Sequence, residues 1–240
     1  EALRRGTSVY MLNNVIPMLP EKLSNELCSL RPDEDRLCFS VLMELTPEAN
    51  KVRYEIKETI INSKRRFSYQ EVQKIIEKPK SDKKFGKILQ EMFQLSKHLI
   101  EKREQRGGLD FESHEVDIQL DENWKPVKID RVKRLDSHRI VEEFMILANT
   151  TVASHVSKKL SREEEDELPY PYRVHEKPGG DKLKDYIKFT RALGLDFPSQ
   201  KKITPKLFQK FLANIKGDEK EVLVSEITVR TMMKAKYDVN

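Results

Sequence analysis

The sequence predicts an α+β fold, a mixed structure of antiparallel β-hairpins packed on long amphipathic helices. Two stretches, at 36–62 and 109–132, place apolar residues on period two on either side of a turn. Two others, at 85–100 and 140–156, place them three and four residues apart, the spacing of a helix face. No internal repeat and no low-complexity segment competes with this assignment. The chain has 240 residues and is 38% hydrophobic, enough for an ordinary core in one large domain or two small ones.

From the start, Val9 and Tyr10 form a β-favouring pair after Gly6, and Pro17 and Pro20 fix φ and rule out a helix between them. Pro20 precedes Glu21-Lys22-Leu23, where its φ suits the first turn of a short helix expected to carry Leu23, Leu27 and Leu30 inward. Leu37, Phe39, Val41 and Met43 then alternate with Cys38, Ser40, Leu42 and Glu44, a strand with its outer face half covered. After the turn Thr46 to Asn50, Val52, Tyr54 and Ile56 continue the alternation, so Arg36 to Asn62 is expected to be an antiparallel hairpin.

Ser68-Tyr69-Gln70-Glu71 has the form of a capping box opening a helix to about Glu77. Pro79 to Lys84 breaks the pattern, and Phe85, Ile88, Leu89, Met92, Leu95, Leu99 and Ile100 mark a long amphipathic helix closed by Gly107-Gly108. Leu109 to Leu120 and Val127 to Val132 read as two strands joined by the turn Asp121 to Pro126. Asp136 is the expected N-cap of a helix to about Leu160, whose broad apolar face (Ile140, Val141, Phe144, Met145, Leu147, Ala148, Val152, Val156) makes it the most buried helix expected. A solvated acidic linker follows near 161–168, then an extended segment from Tyr170 to His175. Helices are expected from Asp181 to Leu193, ended by Gly194, and from Thr204-Pro205 through Ile215. Beyond Gly217 a final helix is expected from Val222 to Tyr237, running to Asn240.

The 45 basic and 40 acidic residues leave a net charge of +5, compatible with RNA binding without indicating it. No apolar run approaches a bilayer span and no leader opens the chain, so no membrane partner and no secretion are expected. Cys28 and Cys38 lack metal spacing and are expected to be reduced thiols of a cytoplasmic protein. His98, His114, His138, His155 and His175 are dispersed without metal or triad spacing. The acidic runs Asp33 to Asp35 and Glu163 to Asp166 read as solvated surface, because neighbours on a loop diverge. On pattern alone, Tyr10 and Phe111 read as core beside strands, Tyr69 as packed on its helix, and Glu142 as an edge carboxylate paired with Arg139 or Lys133.

The run GTSVY…VIPMLPEKLSNELCSL…DR between Gly6 and Arg36 resembles the ribonuclease II/ribonuclease R family of processive 3′→5′ exoribonucleases, most nearly its bacterial ribonuclease R branch. The resemblance continues in SKRRFSYQEVQ (63–73), LDFESHEVDIQLDE (109–122), RLDSHRIVEEFMILAN (134–149) and YRVHEKPGGDKL (172–183). It implies that residues 1–240 are the central and C-terminal part of one RNB-type catalytic domain, truncated at both ends; Glu1 to Arg5, read as the last turn of a helix, and the final helix both read as cuts.

The implied function is the RNA channel of an enzyme that hydrolyses single-stranded RNA to nucleoside 5′-monophosphates with Mg2+. By the same resemblance, Tyr10 and Phe111 match the aromatics that clamp RNA, and Tyr69 and Glu142 the pair that contacts the terminal riboses. The family's metal-binding aspartate cluster and its Ser-Pro-Ile-Arg motif do not occur in this sequence. The segment is therefore expected to hold no metal ligand and no catalytic residue, and to be inactive alone. Its expected partners are single-stranded RNA and the remaining parts of the same polypeptide. Lys64-Arg65-Arg66, Lys133-Arg134 and Lys201-Lys202 suit phosphates and solvated surface equally. Many relatives carry glycine where Trp124 stands, so that turn is expected to leave standard geometry. A non-catalytic RNA-binding relative and a structural or protein-binding module are the alternatives.

Overall fold

The computed structural model describes residues 2–109, 116–160, 170–198 and 203–239. The chain divides into two compact units, one of Glu1–Lys97 with Glu112–Ala148 and the other of His98–Phe111 with Asn149–Asn240.

The first unit opens with α1 (Ala2–Arg5), followed by Gly6 at φ +67°. Strand β1 (Val9–Tyr10) pairs antiparallel with β2 (Val15–Ile16), Val9 opposite Ile16 and Tyr10 opposite Val15. The turn is closed by Met11 N–H donating to the Asn14 carbonyl at 2.8 Å, while the Asn14 side-chain oxygen accepts from Val15 N–H at 2.8 Å. After Pro20 the chain makes a π-helical turn, Lys22–Leu27, with Cys28 N–H donating to the Leu23 carbonyl. The expected helix is thus present in a wider form, and Leu23, Leu27 and Leu30 stand exposed instead of inward. Bonding from i to i+5 breaks the alignment of positions three and four apart into one stripe.

Strands β3 (Asp35–Leu45) and β4 (Lys51–Asn62) form the expected long hairpin, in register from Asp35 opposite Asn62 to Met43 opposite Tyr54. Facing residues share a side of the sheet, so Leu37 and Ile60, Val41 and Ile56, and Met43 and Tyr54 lie on one face. Only the half near the turn is partly covered: Leu37 is 84% and Phe39 72% exposed. The alternation correctly predicts the strand and overstates the burial of its apolar face, because a two-stranded ribbon covers little of itself.

Helix α2 (Tyr69–Glu77) and helix α3 (Gly86–Gln105) follow, separated by a 3₁₀ turn at Pro79–Ser81. Gly86 is required there, since a Cβ would overlap the Pro79 carbonyl oxygen. Strand β5 (Val116–Leu120) pairs antiparallel with β6 (Pro126–Arg131), the expected second hairpin; of the expected first strand, 110–115 lie outside the described residues. Its turn corrects the expectation of altered geometry. Asp121 Oδ1 accepts from Asn123 N–H (2.8 Å) and Lys125 N–H (2.9 Å), Asp121 N–H donates to the Lys125 carbonyl (2.9 Å), and Trp124 itself takes φ +63°. The hydrogen-bonded frame keeps the left-handed position and places an indole where glycine fits best.

Helix α4 (Asp136–Leu160) begins at Asp136 instead of just after it. Ile75, Ile76, Leu89 and Ile140 form the buried core of this unit, with Phe67, Val72, Phe85, Met92, Phe93 and Phe144 against them. Each such aliphatic side chain contributes about 1.5–3 kcal/mol by leaving water. Val141 and Met145 are exposed, so the buried face of α4 is narrower than expected, since those two positions turn about 100° away from Ile140 and Phe144.

In the second unit, β7 (Tyr172–Val174) precedes α5 (Gly180–Ala192), ended by Gly194 at φ +75°, then α6 (Pro205–Asn214) and α7 (Glu221–Thr231). The expected final helix stops at Thr231; Lys236–Asp238 is instead strand β8, antiparallel to β7 with Arg173 opposite Tyr237. The extended Tyr172–Val174 edge offers Tyr237 a ladder partner, and that non-local pairing overrides the helical pattern. Tyr186, Phe197, Phe208, Phe211, Ile215 and Val224 form the core, with the Tyr186 and Phe197 rings edge to face at 5.1 Å. The Tyr186 hydroxyl bonds Thr228 Oγ1 at 2.8 Å, and Thr228 donates to the Val224 carbonyl at 2.7 Å. The acidic linker falls on 161–168, outside the described residues. Among the described residues no helix is long and apolar enough to cross a membrane.

Candidate functional site

Three helix starts in the first unit form the candidate site, those of α2, α3 and α4. At the head of α2, Ser68 Oγ accepts from Glu71 N–H at 3.2 Å and Ser68 N–H donates to Glu71 Oε2 at 2.7 Å, the reciprocal capping box the sequence predicts. Residue 69 is thereby the first of the helix, and Tyr69 stands exposed.

The head of α3 is capped by Asp82, whose Oδ1 accepts from Phe85 N–H (2.8 Å) and Lys84 N–H (2.9 Å). Arg65 joins the two caps, 2.8 Å from Asp82 and 3.6 Å from Glu71, with its guanidinium over the Phe67 ring at 4.3 Å. Backbone and hydroxyl hydrogen bonds from Ser68, aided by Arg65, hold the Glu71 carboxyl below its ordinary value. The Phe85 amide, then Lys84 and Arg65, do the same for Asp82.

At the head of α4, Leu135 N–H donates to His138 Nδ1 at 3.1 Å, and the imidazole stacks on the Tyr69 ring, centroids 4.0 Å apart and planes 24° from parallel. Ser137 N–H reaches Gln73 Oε1 at 3.3 Å, a second tie between α4 and α2. Glu142 lies one helical turn beyond His138 on the same face and forms an ion pair with Arg134. Arg134 is thus one partner of Glu142, close in sequence to the Lys133 and Arg139 to which the pattern pointed. Tyr69 and Glu142, far apart in sequence, are brought to one surface by the Ile75/Ile76/Ile140 packing. In the sequence His138 is one of five dispersed histidines, and its spacing of four from Glu142 is the one local signal that marks it.

Tyr10 is 80% exposed at the end of β1, contrary to the core position that pattern alone gives it. The proline segment is tied to its hairpin: Ser8 Oγ accepts from Met18 N–H at 3.0 Å, and Arg5 donates to the Pro17 carbonyl. Phe111 lies outside the described residues, as do Lys201 and Lys202. Among the described residues, no group of three or more His, Cys, Asp or Glu side chains could hold a metal ion, and Glu34 pairs with Arg36. The residues described do not fit a two-metal hydrolytic centre; what they offer is aromatic faces for stacking beside a carboxylate and an imidazole for hydrogen bonding.

These features define an α+β chain that presents a phenol, an imidazole and a carboxylate at neighbouring helix starts, and comparison supplies its family. Residues 1–240 match the RNB domain along their whole length, and the chain belongs to that family. It is 39% identical to ribonuclease R of Aquifex aeolicus (strain VF5), over 99% of this chain and 33% of the relative. Mycoplasma genitalium RNase R in complex with ribose methylated single-stranded RNA is 30% identical, with a TM-score of 0.88 over 100% of this chain and 37% of that one. The same enzyme in complex with double-stranded RNA gives a TM-score of 0.89, covering 42% of that chain. The chain thus spans about a third of the length of the curated relatives it matches.

Proposed function

We propose that the chain is the RNA-channel part of a processive 3′→5′ exoribonuclease, which hydrolyses single-stranded RNA to nucleoside 5′-monophosphates in the cytoplasm. It forms the central and C-terminal part of one RNB-type catalytic domain. Tyr10 stacks on a base as one jaw of a clamp with Phe111, and Tyr69 and Glu142 contact the terminal riboses. In the parent enzyme, carboxylates other than those described would hold Mg2+, which would supply charge stabilisation for phosphodiester cleavage. The exposed Leu37, Phe39 and Ile60 on one hairpin are covered by further parts of the same polypeptide.

The observation that carries the reading is Tyr10, an exposed aromatic on a hairpin braced by its own prolines. Base stacking on an aromatic is worth about 1–3 kcal/mol, so Tyr10→Ala lowers affinity for oligo(A) at least about fivefold. Because the ring is exposed, the unfolding midpoint stays where it was. Fluorescence anisotropy with a urea melt checks both. Unchanged affinity would favour a structural module and overturn the RNA reading. In a magnesium assay on end-labelled oligo(A), the 240-residue chain alone shows little or no processive decay; clear decay would overturn the assignment of the metal ligands to other parts of the polypeptide.

A further inference from the structure

The Tyr69–His138 stack has a feature that simple packing does not require. The imidazole is held from its edge as well as its face: Leu135 N–H donates to Nδ1 at 3.1 Å, so the neutral ring carries its proton on Nε2 and its plane is fixed by the backbone of the α4 entry. Onto that fixed plane Tyr69 lies nearly parallel at 4.0 Å. Tyr69 itself has its backbone fixed by the capping box and remains part exposed, and the imidazole stacked on its ring restrains the ring's plane. Glu142 projects one turn further along the same face of α4 and is held by Arg134. The phenol of α2 and the carboxylate of α4 are therefore referred to one rigid piece of backbone through His138.

We propose that His138 is a positioning residue for ribose recognition: it sets the plane of Tyr69 relative to Glu142, so that the two read a 2′-hydroxyl as a pair. This rests on the assignment of Tyr69 and Glu142 to ribose contact. A 2′-hydroxyl both donates and accepts, so a carboxylate and a phenol held at fixed separation distinguish it from a 2′-hydrogen, whereas a swinging phenol does not. The stacked geometry, worth about 0.5–1.5 kcal/mol for an aromatic pair, sets the scale of the expected effect at roughly two- to tenfold.

The experiment uses the 240-residue chain with His138→Leu, which keeps bulk and loses the flat ring, and His138→Phe, which keeps a flat ring and loses the Nδ1 acceptor. Without RNA, NMR reads the Tyr69 ring protons: they sit upfield in the unsubstituted chain, move downfield in His138→Leu and stay upfield in His138→Phe. With RNA, anisotropy compares oligonucleotides ending in ribose and in 2′-deoxyribose. The preference for ribose falls roughly two- to tenfold in His138→Leu, by loss of affinity for the ribose oligonucleotide alone, and is restored at least in part by His138→Phe. An equal fall for both oligonucleotides, an unchanged preference, or no restoration by phenylalanine in a folded variant would overturn the proposal. If the unsubstituted chain binds neither oligonucleotide, the RNA reading itself fails and takes the proposal with it. If it binds RNA and Tyr69 shows no upfield shift, the RNA reading stands and the positioning role alone is lost.

Discussion

Trp124 offers a measurement in which the strain of one residue can be isolated. Four backbone-directed hydrogen bonds fix the turn from Asp121 to Lys125 and hold residue 124 at φ +63°. A residue with a Cβ in that left-handed region costs about 1–2 kcal/mol. Glycine there removes the penalty and adds about 0.5–1 kcal/mol of backbone entropy to lose on folding. Comparing Trp124→Gly with the native chain alone would mix this gain with the lost contacts of an indole that is still 62% exposed. Comparing Trp124→Gly with Trp124→Ala cancels the indole, because both variants lose it, and leaves a net advantage for glycine of about 0.5–1 kcal/mol. Amide hydrogen exchange at Asp121 and Lys125 reads the local opening directly, with exchange roughly two- to fivefold slower in the glycine variant. Equal or slower exchange with alanine would refute the left-handed turn and the account of why glycine suits the site.

Two further outcomes follow from the cores and caps. Tyr186→Phe removes the bond to Thr228 Oγ1 yet leaves that hydroxyl donating to the Val224 carbonyl, so it costs about 1 kcal/mol in urea unfolding; a cost above about 3 kcal/mol, the range of deleting a whole ring, would show that the phenol does more than bond Thr228. Glu71 and Asp82 both have folded values below their unfolded ones, so the stability they add is present in full above about pH 5 and is lost as pH falls through the depressed values. Melting across the acid range shows this loss, and Asp82→Asn reduces its slope; a slope unaltered by that change would contradict the cap geometry.

The elements with local signals were legible in the sequence. Ser68 and Glu71 carry a capping box that specifies both its bonds, Pro205 and Gly217 bracket α6, and the alternation of 36–62 fixes the long hairpin. What sequence misread was settled at a distance. Lys236–Asp238 leaves its helix because Tyr172–Val174 supplies a strand partner more than 60 residues earlier, and Leu37 and Phe39 are exposed because alternation gives a strand's sidedness without saying what lies against it. The candidate site shows the same division. Resemblance proposes Tyr10, Tyr69 and Glu142; the stack of His138 on Tyr69 depends on α2 and α4 meeting through Ile75, Ile76 and Ile140, with only the spacing of four from Glu142 visible in the sequence.

That crossing also bears on how the site is supported. Tyr69 stands on an exposed helix end and Glu142 on a half-exposed flank, yet each lies within one or two turns of a buried isoleucine. The capping box and the Arg65 bridge fix the start of α2, Leu135 fixes the His138 ring, and the isoleucine cluster fixes the distance between the two helices. Recognition of a hydroxyl whose alternative is a hydrogen atom needs donors and acceptors held within a fraction of an ångström. A surface built from long flexible side chains would bind phosphates as well and distinguish sugars poorly. The proposed ribose contact of Tyr69 and Glu142 draws on that support, with Tyr69 the first residue of α2 and His138 in the first turn of α4.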